Sequence, residues 1–180
     1  GSKLHPSVGE TEPSPKKSGA YSWLKAPRYK GHALEVGPLA RVMTNYHASS
    51  GSAVKTEVDA VLQAAGITAD KMFSVLGRHL ARAIEARMLV RQMHRWLDEI
   101  EPDGPPAQDF ALPKQGSGYG MIEAPRGALG HWITIDNYRI ARYQAVVPTT
   151  WNCSPRDDGG QPGPVEKALE GVLVANPDQP

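Results

Sequence analysis

The 180-residue sequence has a single cysteine, Cys153, so it forms no internal disulfide and builds no multi-cysteine metal site by itself. It has no apolar run near the roughly 18 to 20 residues that a membrane-spanning helix requires, and its start lacks the charged-then-apolar pattern of a secretion signal. We therefore expect a soluble chain, or one that docks through a partner. Excess charge is also missing: 20 basic and 19 acidic residues leave a formal net charge of +1. That balance excludes a polyelectrolyte and gives no support to nucleic-acid binding. The six histidines, at positions 5, 32, 47, 79, 94 and 131, show no His-Glu-x-x-His or other metal spacing, so most are expected to be surface or packing residues.

What is present is the composition of an ordinary globular protein, 40% hydrophobic and 22% charged, with length enough to bury a core. The 18 glycines and 16 prolines are many for a compact domain and suggest ordered loop between short elements. The opening Gly1-Ser2 has the look of a cloning scar, which would make the first genuine residue begin mid-protein. Residues 1–20, rich in Pro, Gly, Ser, Lys and Glu, read as an extended surface segment, and residues 21–180 as one domain, or part of one.

Within that domain, residues 21–29 are too broken by Pro27 for a continuous helix, and Gly31, Gly37 and Pro38 mark tight backbone. A short helix is expected over 39–46. After a loop at Ser49, Ser50, Gly51 and Ser52, a helix over 54–65 is expected, with Gly66 as its C-terminal cap. The strongest element follows: Thr68 can cap and Asp70 can complement the helix dipole, so one helix is expected from there to about Ile100. Met72, Leu76, Ala83, Ala86, Val90, Met93, Leu97 and Ile100 recur three or four apart, which predicts one buried face. So long a seam wants another helix against it, and this chain has only short ones to offer. The arginines at 78, 82, 87, 91 and 95 are interleaved with acids, as on a solvated helix face rather than a nucleic-acid site.

Residues 103–118 read as a loop. Residues 121–123, 131–136 and 138–147 are β-rich, with Asp136-Asn137 as a candidate hairpin turn, which predicts a small antiparallel sheet. Residues 148–164 read as irregular and 165–175 as a last helix. The fold class expected is α+β, mainly helical, with a long core helix and a small antiparallel sheet.

Two stretches read as loops concentrate unusual residues: Glu123-Ala124-Pro125-Arg126-Gly127-Ala128-Leu129-Gly130-His131-Trp132, and Val147-Pro148-Thr149-Thr150-Trp151-Asn152-Cys153-Ser154-Pro155-Arg156-Asp157. With residues 21–29 and Leu34-Glu35-Val36-Gly37-Pro38-Leu39-Ala40-Arg41 upstream in the same order, they resemble the signature blocks of the nickel-iron hydrogenase large subunit. That resemblance covers nearly the whole chain and implies a part of that subunit's fold. The family's two cysteine motifs, Arg-x-Cys-Gly-x-Cys and Asp-Pro-Cys-x-x-Cys-x-x-His, are absent. The sequence thus resembles the later half of the subunit, stopping before the final cysteine block. Cys153 matches no ligand position and is expected to be a small buried residue.

The resemblance implies a nickel-iron centre with cyanide and carbonyl ligands on iron, no cysteine ligand in this chain, and electrons leaving through an iron-sulfur small subunit. It places Pro125 and Arg126 as the catalytic wall above the metals. A cyanide nitrogen in a dry pocket needs donors, and Arg126 is a permanent cation with several. Arg126 is thereby given two roles, polarising hydrogen as it splits or accepting its proton, of which the first suits the high reference pKa of arginine better. Pro148 and Thr149 match the segment facing the other cyanide, Thr149 donating through its hydroxyl and Pro148 supplying shape. A magnesium ion is also implied, with a ligand from the Ala145 carbonyl and Lys25 near it.

Without the resemblance, Arg126 fixing its turn through Glu123, and Thr149 as a local hydrogen-bonder, are the plainer readings. Trp23, Trp96, Trp132 and Trp151 are expected as core or subunit-interface anchors. Two rivals stand beside the hydrogenase: the related quinone-site subunit of respiratory complex I, and a non-enzymatic interaction module. The remaining ends of the large subunit are expected as partners, and the compartment is left open, cytoplasmic or membrane-associated through the small subunit.

Overall fold

The computed structural model describes residues 4–48, 51–107, 109–176 and 178. Of the sequence expectations, the Gly1-Ser2 start and Ser49-Ser50 of the predicted loop lie outside the described residues. The elements are helices α1 (Pro38–Ala48), α2 (Ala53–Ala65), α3 (Val75–Asp98), α4 (Pro148–Asn152) and α5 (Pro164–Leu169), with strands β1 (Gln115–Ala124), β2 (Gly127–Asp136) and β3 (Arg139–Val146) in a three-stranded sheet ordered β1-β2-β3. The chain divides into two compact units: Pro38–Gly118 with Ile133–Tyr143, and Gly1–Gly37 with Tyr119–Trp132 and Gln144–Pro180.

The first of these, the helical unit, is built on apolar packing. Leu39, Val42 and Met43 of α1, Val58 and Leu62 of α2, Met72, and Ala81 and Ile84 of α3 form its core. Ser52 caps α2 by accepting from the Lys55 N–H at 3.0 Å, and Gly66 ends it in the left-handed region at φ 64°, where a residue without Cβ is unstrained. Arg41 of α1 grips Glu85 of α3 through Nε and Nη2, both at 2.6 Å, a fork that fixes register as well as charge.

The long helix differs from its sequence expectation in two ways. It does not run on from Thr68: Ala69–Met72 is a turn of 3-10 helix, and α3 begins only after Ser74, whose hydroxyl oxygen accepts from the Gly77 N–H at 3.0 Å. Ser74 also donates to the Lys71 carbonyl at 2.8 Å, so its hydroxyl closes one turn and opens the next. Thr68 spends its own hydroxyl on the Asp70 carboxylate instead of capping. The buried face is also another one. Gly77, Ala81 and Ile84 are buried, with Leu80 and Met88 packed beside them, while Leu76, Val90, Met93, Leu97 and Ile100 of the predicted seam are exposed. Apolar residues cover more than one stripe of α3, so periodicity alone does not choose between them. The choice falls to the face whose small residues, Gly77 and Ala81, permit close approach.

Both hairpins connect through two residues, which makes the sheet antiparallel. β1 starts at Gln115, earlier than the expected loop over 103–118 allows. The second turn is Asn137-Tyr138, one residue beyond the expected Asp136-Asn137, with φ of 50° and 63°, as a two-residue turn with both central residues left-handed requires. Ser117 and Thr134 pair across β1 and β2 at 3.0 Å, and Gln115 donates to Asp136 at 2.8 Å.

In the second unit, residues 4–20 contain neither helix nor strand, and residues 21–29 are likewise irregular. The helices at the far end also correct the sequence reading: α4 lies within the stretch read as irregular, and α5 stops at Leu169 rather than near 175. Gly171, at φ 78°, leads the chain away from it. Trp132 is buried against Gly130, which leaves room for the indole two residues on, and the His5 ring meets it edge-on at 5.7 Å. Trp23 and Trp96 are exposed.

Candidate functional site

The block from 123 to 132 is no loop but a hairpin. Pro125 and Arg126 are its two turn residues between β1 and β2; proline suits the first corner of such a turn, and a glycine follows it. Gly127 has φ 133°, a conformation that side-chain-bearing residues rarely adopt. It is also crowded: a methyl group there would lie 2.5 Å from Val36 Cγ2 and 2.7 Å from the Gly37 nitrogen. Gly37, at φ 117°, returns the constraint, since a methyl on it would lie 2.7 Å from the Arg126 carbonyl oxygen. Two glycines therefore let two backbone segments cross in contact.

The second block reaches the same crossing from the other side. Proline at its first position pre-sets α4, and Asn152 at its last position turns its amide onto Val36. The Val36 N–H donates to Asn152 Oδ1 and Asn152 Nδ2 donates to the Val36 carbonyl, each at 2.9 Å. Val36-Gly37 thus touches the Arg126-Gly127 backbone on one side and is gripped by α4 on the other. Pro148 and Thr150 are buried, whereas Pro125, Arg126 and Thr149 are exposed. The Arg126 side chain makes no hydrogen bond or ion pair among the described residues. Ala145 is half-buried in β3 and Lys25 is exposed, and neither takes part in this crossing.

Further polar straps hold residues 28–33 to the chain beyond α4. Arg28, part-buried, donates to Asp157 Oδ2 at 2.7 Å, to the Ser154 hydroxyl at 3.3 Å and to the carbonyls of Pro27, Pro155 and Gln161. The Gln161 side chain accepts from the Ala33 N–H at 2.7 Å. The Asp157 carboxyl is held below its usual range, first by the Gln161 N–H and then by Arg28. Tyr21 donates its hydroxyl to Glu166 at 2.5 Å and accepts from the Arg156 N–H at 2.6 Å. The bond between Tyr21 and Glu166 lowers the pKa of the carboxyl and raises that of the tyrosine.

Metal-holding capacity can be judged from the donors. Among the described residues no group of three or more His, Cys, Asp or Glu is placed to hold a metal ion. Cys153, expected to be buried, is exposed at the end of α4; its N–H closes the helix onto the Thr149 carbonyl at 2.9 Å while its thiol is left outside. A thiolate-held metal centre does not fit the residues of this chain alone.

The family model for nickel-dependent hydrogenases matches residues 1–180. The chain belongs to the nickel-dependent hydrogenase family. It is 45% identical over 170 residues to the hydrogenase-1 large chain of Citrobacter freundii, covering 89% of this chain and 28% of that relative. It is 42% identical over 184 residues to the periplasmic NiFeSe hydrogenase large subunit of Desulfomicrobium baculatum, covering 98% of this chain and 35% of that one. Among solved structures, a NiFeSe hydrogenase of Dm. baculatum superimposes with a TM-score of 0.83 at 43% identity over 96% of this chain and 36% of the other. That of D. vulgaris Hildenborough gives 0.84 at 40%, over 98% and 38%. The chain thus spans about a third of the length of the hydrogenase large subunits it matches. No helix among the described residues is long and apolar enough to cross a membrane.

Sequence reasoning quoted Val36, Gly37 and Asn152 within the hydrogenase-like blocks without giving them a role. Gly37 was legible as tight backbone, but its partner across the crossing was not. An amide at the end of Pro-Thr-Thr-Trp-Asn was the available signal for Asn152.

Proposed function

We propose that this chain is part of the catalytic large subunit of a nickel-iron hydrogenase, which interconverts hydrogen with protons and electrons and passes the electrons to an iron-sulfur small subunit. The observation that carries the reading is the glycine crossing, in which Val36-Gly37 packs on the Arg126 turn while Val36 is bonded to Asn152 of the Thr149 helix. The chain contributes walls rather than metal ligands. Arg126 presents an exposed guanidinium with no partner among the described residues, and such a group is a strong donor toward a partly negative ligand or a developing charge. Pro125 fixes the turn that carries it. Thr149 offers a hydroxyl at the first turn of α4, and the buried Pro148 shapes the backbone beside it. The Ala145 carbonyl and Lys25 are the residues we assign toward a magnesium ion.

On this reading the thiolates that hold nickel and iron come from other parts of the large subunit, since this chain offers one cysteine. The exposed Leu76, Val90, Met93 and Leu97 on α3, with Ile100 just past its end, are what a face covered by further large-subunit chain would show.

The chain alone, exposed to hydrogen and a dye acceptor, should reduce no dye and retain no nickel on metal analysis. A full-length relative carrying this segment should bind nickel, and Arg126→Ala in it should lower kcat by about 100-fold or more with nickel retained. Stoichiometric nickel in the isolated chain, or an Arg126→Ala enzyme of full activity, would overturn the proposal.

A further inference from the structure

We infer that Asn152 is a positioning residue whose amide, by clamping the Val36 backbone, sets the separation of Arg126 from Thr149. The inference rests on the wall assignment above and adds to it the device that holds the two walls in register.

The argument starts from hydrogen-bond capacity. A side-chain amide has one acceptor oxygen and one donor nitrogen on a rigid plane, the same complement a backbone residue presents, reversed. Asn152 uses both on one residue, Val36, at 2.9 Å each. Val36 is half-buried, and a backbone N–H and C=O removed from water and left unpaired would be costly. The pairing therefore satisfies two obligatory groups that no neighbouring strand serves. Only asparagine supplies both atoms at this reach: aspartate keeps an acceptor and loses the donor, and alanine loses both.

Position gives the pair its consequence. Asn152 ends α4, three residues beyond Thr149, and in so short a helix the two residues move as one body. Its other end is closed independently, since the Thr150 N–H donates to the Val147 carbonyl at 2.9 Å. Val36 adjoins Gly37, and the backbone of this pair lies in contact with Arg126 and Gly127, where neither glycine leaves room for an added methyl group. Displacing Val36 from Asn152 therefore removes the direct bond between α4 and the hairpin crossing, leaving the tether through β3 and the straps from Arg28 and Ala33. The short route from Thr149 to Arg126 passes through the clamp and then through a packed backbone crossing, beside the longer one through β3 and the sheet. The side chains at its two ends, Arg126 and Thr149, are both exposed, so neither fixes the other directly. A donor pair meant to face one small ligand requires a fixed separation, because a displacement of about 1 Å costs orders of magnitude in such sites.

The test uses the whole chain with Cys153→Ser, carrying nitroxide labels on Arg126→Cys and Thr149→Cys, and measures their dipolar coupling. Unlabelled chains with the native residues at 126 and 149 serve for amide exchange. With Asn152 present the label separation should be narrowly distributed. In Asn152→Ala it should broaden, and the Val36 amide should exchange about tenfold faster, while the Gly77 amide on α3 keeps its protection. Asn152→Asp should retain Val36 amide protection but broaden the separation part of the way, because the Val36 carbonyl loses its donor. If Asn152→Ala does not fold, the aspartate variant alone carries the test.

An unchanged label separation in a folded variant whose Val36 amide is exposed would overturn the inference. So would a loss of protection shared equally by Val36 and Gly77, which is the mark of general destabilisation. Neither readout needs metal or hydrogen, so a failure here is distinct from a failure of the hydrogenase reading, which nickel content and dye reduction decide.

Discussion

The two units of the chain hold together by different physics. In the helical unit, eight buried apolar residues from α1, α2, α3 and the turn before α3 make one core, so its stability comes from surface removed from water. In the other unit the buried hydrophobics among the described residues are Trp132 and Val146, and the segments carrying Arg126 and Thr149 are joined by side-chain amides, a guanidinium and two glycines. A core tolerates substitutions of similar volume. A network of directional bonds around a backbone crossing does not, and it is also the better means of holding exposed polar groups at fixed positions.

The largest test of the contrast is Gly127→Ala. It places a Cβ where φ is 133° and where Val36 and Gly37 leave no space, so we expect a loss of about 3 to 5 kcal/mol in urea unfolding, from backbone strain and overpacking together. Survival of the variant with unchanged stability would mean that the crossing is not tight. In the helical unit the counterpart is Met72→Ala. Met72 is fully buried, and its truncation should cost about 2 to 4 kcal/mol, read from helical circular dichroism in denaturant, whereas Met72→Leu should cost under about 1.5 kcal/mol.

Arg28→Met keeps a long apolar stem but removes five donated bonds, among them the one to Asp157 Oδ2. We expect a loss of about 2 kcal/mol and faster amide exchange at Ala33 and Gln161, with the amides of α2 unchanged. Uniform exchange across both units would erase the distinction between them.

The smallest effect is acid sensitivity. The Asp157 and Glu166 carboxyls are both held below their usual values in the folded chain. Their contribution is therefore present above the unfolded carboxylate range, about pH 4, and fades as pH falls through the lowered folded values. Chemical shifts around Asp157 and Tyr21 should move below about pH 4 before helical dichroism changes. Asp59 and Asp70 in the helical unit are lowered too, by the Tyr46 and Thr68 hydroxyls, but they are peripheral to a core that does not titrate.

Legibility in the sequence followed the same divide. The helices expected over 39–46 and 54–65 were readable, within two residues at each end, because periodicity and a capping glycine are local signals, and the sheet because its segments are β-rich, with alternation around Trp132 to Ile135 and a turn signal near Asn137. The start of α3 was misplaced because Thr68 and Ser74 are equally plausible caps, and only the packing of Met72 against Gly77 selects the second. The buried face of α3 was misassigned because two apolar stripes compete on one helix. At the site, Pro125, Arg126, Pro148 and Thr149 stood out by their resemblance to hydrogenase blocks, yet the hairpin and short helix that carry them read as loop.

By itself the sequence determined what this chain is made to resemble and what it lacks: ordered signature blocks, one cysteine, no donor set for a thiolate-held metal. Those are properties of residue identity and order. The tertiary structure alone decided that Val36 and Gly37 mediate between Arg126 and Thr149, since segments so far apart in the sequence meet only when the chain closes on itself. Glycine φ angles and an amide's bidentate grip acquire meaning from the segment lying opposite, and no local pattern encodes which segment that is.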